Sequence, residues 1–249
     1  MATPPKASVF AQLLRNEGVT VVEVGDWEHH NRNHKGPWGP VHGVMIHHTV
    51  TKGTAATVKI CRDGRSDLPG PLCHGVIAKD GRVHLVGYGR ANHAGLGDDD
   101  VLRAVINETK LPADNEATTD GNRHFYGFEC ENLGDGKDPW PKAQLEAIER
   151  VSAAICRHHG WDERSVIGHL EWQPGKIDPK GFGMDWLRGQ VRDRLKPTTD
   201  YTVRRGDTLW SIAASKLGDG NRWHDIASLN HLKNADDITP GQKLKLPKK

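Results

Sequence analysis

Three short stretches carry the residues whose types and spacing could do chemistry: Met45-Ile46-His47-His48-Thr49, Phe128-Glu129-Cys130-Glu131-Asn132, and the run from Ile167-Gly168-His169 through Pro174-Gly175-Lys176-Ile177-Asp178-Pro179. Two histidines and one carboxylate make a three-ligand zinc set that leaves a fourth position for water, as a hydrolytic site requires. Each stretch reads as a strand or strand end. Alternate side chains of a strand leave on opposite faces, so only one of His47 and His48, and one of Glu129 and Cys130, can serve a common site. With 15 His in the chain, one histidine alone signifies little; the case rests on three ordered stretches together.

The elements that must position them follow from the hydrophobic pattern. Val41 to Thr49 alternates as a strand, with Val44 and Ile46 on one face and Met45 and His47 on the other. His74 to Ala78 and Arg82 to Gly87 flank Lys79-Asp80-Gly81, a hairpin signal, and Phe125 to Asn132 is another strand. Ala7 to Glu17 predicts a helix with Val9, Phe10, Leu13 and Leu14 as its apolar stripe, followed by a β-branched run from Val19 to Val24. Pro141 opens a helix whose stripe is Leu145, Ile148, Val151, Ser152 and Ile155, and Gly160 ends it. Asp98 to Glu108 starts with three acids and carries Val101, Leu102, Val105 and Ile106 as its apolar side. Trp27 to Gly39 reads as a loop, and the polar segment from Leu111 to Arg123 as a loop near a substrate groove. Strands in mixed order with helices between them argue for an α/β or α+β domain; of the two, the α/β class, with a mixed sheet flanked by helices, is the expectation.

Composition narrows the classes. The 34 Lys+Arg against 32 Asp+Glu leave a net charge of +2, too balanced for a nucleic-acid binder held by phosphate neutralisation. No apolar run approaches the ~20 residues of a membrane span, and the start, Met1-Ala2-Thr3-Pro4-Pro5-Lys6, shows no apolar signal-peptide core. Cys61, Cys73, Cys130 and Cys156 read as free thiols of a reduced compartment, with a bridge between Cys61 and Cys73 left open. The composition breaks at Lys196-Pro197-Thr198-Thr199-Asp200, so the expected domains are 1–195, with a core from about 41 to 195, a linker at 196–200, and a small domain at 201–249. From Tyr201 onward nine Lys/Arg face five Asp/Glu, which puts the basic excess in the tail.

The three stretches resemble the strands and metal loop of the type 2 N-acetylmuramoyl-L-alanine amidase and peptidoglycan-recognition superfamily, over about Val41 to Leu195. The resemblance implies zinc on His47, His169 and Asp178, with Glu129 as acid/base and Lys176 beside the developing oxyanion. It also places Asn132 and His93, within Ala91-Asn92-His93-Ala94-Gly95, on the substrate side. This chain departs from many relatives in having Cys73 where they carry an aromatic residue before the hairpin histidine, and its segment from Gly97 to Phe125 is longer than a minimal amidase needs.

The tail, from Tyr201-Thr202-Val203-Arg204 to Ile238-Thr239-Pro240-Gly241, resembles a LysM domain across nearly its whole length. Locally, Asp207 or Thr208 can cap a helix containing Leu209, Ile212 and Ala213. A second helix carries Trp223, Ile226, Ala227 and Leu229, and Lys243 to Leu246 alternates as a closing strand, making a βααβ unit. The resemblance implies binding of N-acetylglucosamine-containing glycan through Gly206, Asp207, Thr208 and Leu209 and through the loop holding Pro240. Together the two halves predict a monomeric peptidoglycan hydrolase of endolysin type, with no nucleic-acid or membrane partner. Such a protein would be made in the host bacterial cytoplasm and would act on the cell wall at lysis. A bacterial autolysin and a peptidoglycan receptor without hydrolysis are the alternatives.

Overall fold

The computed structural model describes residues 2–196, 198–230, 232 and 234–247. The chain divides into two compact units, residues 1–192 and 193–249. The larger begins with α1 (Ala7–Asn16), β1 (Val21–Glu23), β2 (Gly43–His48) and α2 (Thr54–Asp63), followed by the hairpin β3 (Gly75–Ile77) and β4 (Val83–Leu85). Then come β5 (Leu96–Gly97), α3 (Asp99–Ile106), β6 (Thr119–Asp120), β7 (Phe125–Cys130), α4 (Lys142–His159), β8 (Val166–Gly168) and α5 (Met184–Leu195).

Six strands form one mixed sheet in the order β1-β4-β3-β7-β2-β8. Strand β2 is parallel to both β7 and β8, β3 is parallel to β7, and only the hairpin partners β3 and β4 run antiparallel. Every residue of β2 is buried, because a central strand is covered on both faces and its apolar pattern is therefore continuous. Met45, Phe125 and Ile167 share one face and pack with Val101, Leu102 and Val105 of α3 and with Trp172. On the other face Phe10 of α1 stacks on Tyr126 at 5.5 Å between centroids.

The register decides where the chemistry sits. His47 is the partner of Glu129 and Ile46 of Gly168, so His47, Glu129 and the residue after β8, His169, all lie at the carboxyl ends of adjacent parallel strands. Ligand sites of open α/β sheets form at that edge, where the chain leaves the strands into loops. The free side of edge strand β8 is closed by side chains: Arg188 Nη1 donates to Val166 O at 3.2 Å, and Gly168 N donates to Glu171 Oε2 at 3.0 Å.

Helix ends follow the polar signals. Asp98 caps α3 through Asp100 N and Val101 N, and Gly160 ends α4 with φ 73°, a left-handed geometry that glycine adopts without a Cβ penalty. Two expected core residues lie outside the core. Val9 and Ile106 are 42% and 47% exposed, because Ala11 and Ala104 take the inward positions of their helices. The segment 111–123, expected as loop, contains β6 and a short 3-10 turn at Gly121–Arg123. All four cysteines are free and buried.

The smaller unit contains β9 (Thr198–Thr202), α6 (Leu209–Leu217), α7 (Trp223–Leu229) and β10 (Lys243–Pro247), with β9 and β10 antiparallel. Thr198 to Asp200, expected as linker, therefore belong to a strand: their backbone pairs with Lys245 to Pro247, which a local composition break does not reveal. Pro197 of that expected linker lies outside the described residues. Val203, Leu209, Ile212, Ala213, Leu217, Ile226, Leu244 and Leu246 make the core of this unit. Among the described residues no helix is long and apolar enough to cross a membrane.

Candidate metal and catalytic site

Strand alternation sends His47 to the Met45 face and His48 to the opposite one. His48 Nδ1 accepts the Lys180 backbone N–H at 3.1 Å and takes no part in the cluster. His47 Nδ1 lies 3.1 Å from His169 Nδ1 and 3.0 Å from Asp178 Oδ2, and His169 Nδ1 lies 3.1 Å from the same oxygen. Three donor atoms from residues as far as 131 positions apart thus form a nearly equilateral triangle. A four-coordinate ion at 2.0–2.1 Å spaces its ligands by about 3.3 Å, so the triangle has the size of one face of a zinc tetrahedron. Two nitrogens and one carboxylate oxygen are also the donor set that zinc takes in hydrolytic sites, and the residues present fit the ion.

The surroundings favour ligation. Burial pushes the His47 imidazole down to about 4, with the nearby Asp178 carboxylate opposing the effect and His169 adding to it, so the ring is neutral at pH 7. Burial alone would raise the Asp178 carboxyl, but the two imidazoles beside it, His169 and His47, outweigh that and hold the group well below the usual carboxylate range. Neutral imidazole and ionised carboxylate are the forms that bind a metal.

Glu129, cross-strand neighbour of His47, has its Oε2 buried with no hydrogen-bond partner. Burial lifts its carboxyl to about 8; the negative charge of Asp178 raises it further and the positive charge of Lys176 lowers it. A carboxyl in that range can exchange a proton near neutral pH. Lys176 is exposed on the loop between His169 and Asp178, and its charge reaches both His47 and Glu129.

Two residues expected on the substrate side are placed elsewhere. His93 is 8% exposed and lies behind His47, its Nδ1 3.1 Å from His47 Nε2. Asn132 is 1% exposed and is consumed by its own loop: Nδ2 donates to Asp138 O at 3.1 Å and Oδ1 accepts from Gly134 N at 2.9 Å. In the tail, Asp207 Oδ2 accepts from Tyr201 OH and Arg204 N, both at 2.7 Å, and Thr208 Oγ1 caps α6 through Ser211 N at 3.1 Å. Leu209 is 2% exposed within the tail core, so its side chain faces away from any surface ligand, whereas Gly206 and Pro240 are exposed.

Two residues not singled out in the sequence, Gln173 and Asn122, also shape the site, and a third, Glu131, ties the end of β7 to the start of α2. Gln173 Oε1 lies 3.3 Å from His169 Nε2, Asn122 Oδ1 accepts the His93 and Ala94 backbone N–H groups, and Glu131 accepts Gly53 N at 2.8 Å and Thr54 Oγ1 at 2.7 Å. The signals were present but weak. Gln173 is four residues after a ligand at helical spacing, and Glu131 shares the face of Glu129 by strand alternation.

A mixed α/β sheet whose parallel-strand ends bring two imidazoles and an aspartate together, beside the carboxyl of Glu129, presents a group that could hold a metal ion next to an acid/base. Residues 37–181 match the Amidase_2 family, described as N-acetylmuramoyl-L-alanine amidase, and residues 201–247 match the LysM domain. The chain belongs to the N-acetylmuramoyl-L-alanine amidase family, with a LysM domain in its tail. The N-acetylmuramoyl-L-alanine amidase XlyB of Bacillus subtilis (strain 168) is 26% identical over 172 residues, covering 62% of this chain and 53% of XlyB. The chain thus spans about half the length of that curated relative. Among solved structures, the amidase LysCS from Clostridium intestinale URNW shares 15% identity at a TM-score of 0.43, over 69% of this chain and 94% of that one. AmpDh3 from Pseudomonas aeruginosa, in complex with anhydromuramic pentapeptide, shares 17% at 0.46, over 87% and 92%.

Proposed function

We propose that the chain is a zinc-dependent amidase that cleaves the amide between N-acetylmuramic acid and L-alanine in bacterial peptidoglycan, with its LysM unit holding the glycan. The observation that carries the reading is the convergence of His47 Nδ1, His169 Nδ1 and Asp178 Oδ2 at 3.0–3.1 Å, next to the unpartnered Glu129 Oε2. Family membership supplies the substrate class.

His47, His169 and Asp178 would hold the ion. Zinc with three protein ligands lowers the pKa of water to about 7 and polarises a carbonyl, which is the activation amide hydrolysis needs. Glu129 takes the proton from the attacking water and returns it to the leaving amine nitrogen, a relay suited to a carboxyl whose buried oxygen has no competing donor. Lys176 places a positive charge beside the oxygen that becomes negative as the carbonyl is attacked. All these groups come from one chain, so a monomer suffices. The LysM unit, tethered to the catalytic unit, raises the local concentration of its insoluble substrate.

Digestion of purified peptidoglycan followed by mass analysis tests this. New L-alanine amino ends on released stem peptides, with the sugar chain intact, are expected, and a chelator should abolish them until zinc is returned. A cut inside the peptide or the glycan overturns the bond assignment, and binding without cleavage leaves the receptor reading. The endolysin form of the proposal expects lysis of a susceptible bacterium that expresses the chain only when a membrane pore is expressed with it.

A further inference from the structure

Behind the triangle of donors runs a second line of hydrogen bonds that determines which nitrogen of His47 is free. The His93 backbone N–H and that of Ala94 both donate to Asn122 Oδ1 at 2.8 Å, which fixes the loop carrying the His93 ring. The ring rests on β7 at Gly127, where a Cβ would come within 2.5 Å of His93 Cγ and Nδ1, so only glycine allows this seat. His93 Nε2 lies 3.3 Å from Phe125 O. A carbonyl only accepts, so Nε2 carries the His93 proton and Nδ1 presents a bare lone pair.

That lone pair lies 3.1 Å from His47 Nε2, and the contact is a hydrogen bond only if His47 Nε2 is protonated. A neutral imidazole has one N–H, so His47 Nδ1 is left bare, and Nδ1 is the atom that meets His169 and Asp178. On the other ligand, Gln173 Oε1 accepts from His169 Nε2 and leaves that Nδ1 bare as well. Without a cation, three lone pairs would face one another at 3.0–3.1 Å. We propose that His93, oriented by Asn122 and seated on Gly127, is a positioning residue that selects the Nε2–H tautomer of His47 and thereby sets the affinity of the site for zinc. The proposal rests on the zinc reading above. It assigns His93 a place behind the ligand, where a residue that only filled core volume would be replaceable by leucine.

Two measurements on the full chain test it. In the metal-free wild type, long-range ¹H–¹⁵N correlation of the imidazole rings should show His47 and His169 both protonated at Nε2. In competition with a chromogenic chelator, His93→Leu, which fills the space but accepts nothing, should weaken zinc binding by about 10–100-fold, the usual cost of removing an outer-shell partner of a metal ligand. His93→Asn, whose Oδ1 takes the position of the lost Nδ1, should recover most of that loss, and Gly127→Ala should mimic His93→Leu. A His47 proton on Nδ1, or His93→Leu binding zinc as tightly as the wild type, overturns the inference and leaves the zinc reading standing. A wild type that binds no zinc removes both. The tautomer measurement needs no variant, so a leucine variant that failed to fold would not shield the idea.

Discussion

Glu129→Gln should make the metal-free protein more stable while removing its activity. The carboxyl has an ordinary value of 4.5 and burial lifts it to about 8. In the unfolded chain the group ionises through pH 4.5, while the folded protein keeps its proton until about 8. The folded state therefore binds more protons across that window, and stability is full below 4.5 and falls as pH rises through 8. A shift of that size, at about 1.4 kcal/mol per unit, corresponds to about 4–5 kcal/mol between pH 4 and pH 9, and partial solvent contact of the side chain reduces the expectation to about 2 kcal/mol at pH 7. Glutamine keeps the shape and cannot ionise, so the variant should gain that amount at pH 7 and nothing at pH 4. Urea unfolding of both proteins after chelation, at pH 4, 6 and 8, measures it. Hydrolysis of peptidoglycan by the zinc-loaded variant should fall by about 10²–10⁴-fold, the range for a lost general acid/base. A variant that is equally stable at every pH, or less stable at pH 8, would refute the burial argument; a variant of undiminished activity would refute the role.

Asp178→Asn removes the only charged donor of the triangle and should weaken zinc binding by more than the ~10–100-fold of an outer-shell change, as read by chelator competition. Lys176→Ala should lower kcat by about 10²-fold, and a loss confined to KM would instead mark it as a binding residue. Thr208→Ala deletes the cap that accepts Ser211 N at 3.1 Å. It should destabilise the tail unit by about 1 kcal/mol in chemical denaturation, with peptidoglycan cleavage by the catalytic unit retained.

From the residues alone, strand alternation left one member of each pair as a candidate, and it was the resemblance to the amidase family that named His47, His169 and Asp178, the three side chains the fold brings together. The same resemblance put His93 and Asn132 on the substrate side, but it says nothing about how the loops of this chain fold back. Asn132 continues a strand whose last residues face the site edge, but the tight turn at 133–139 supplies carbonyls and an N–H nearer than any substrate could be. The segment after β5 shows the same difficulty. Asp98, fully buried, was readable as a helix cap through Asp100 N at 2.8 Å, yet its second oxygen accepts Asn115 N at 2.7 Å, far along the chain. Burial alone would raise this carboxyl, but its bonds to the N–H groups of Asn115, Val101, Asp100 and Glu116 outweigh that and hold it below its ordinary value. One ionised side chain therefore both starts α3 and ties down the loop that follows it. Side-chain-to-backbone closures of this kind carry no periodicity, which is why the purpose of 97–125 was invisible to pattern reading. The packing shows what α3 contributes: held at its first turn by Asp98, it sets Val101, Leu102 and Val105 against Met45 and Trp172, and those two residues lie two and three positions from His47 and His169. Helix α3 is therefore part of what holds the sheet face that carries His47 in place.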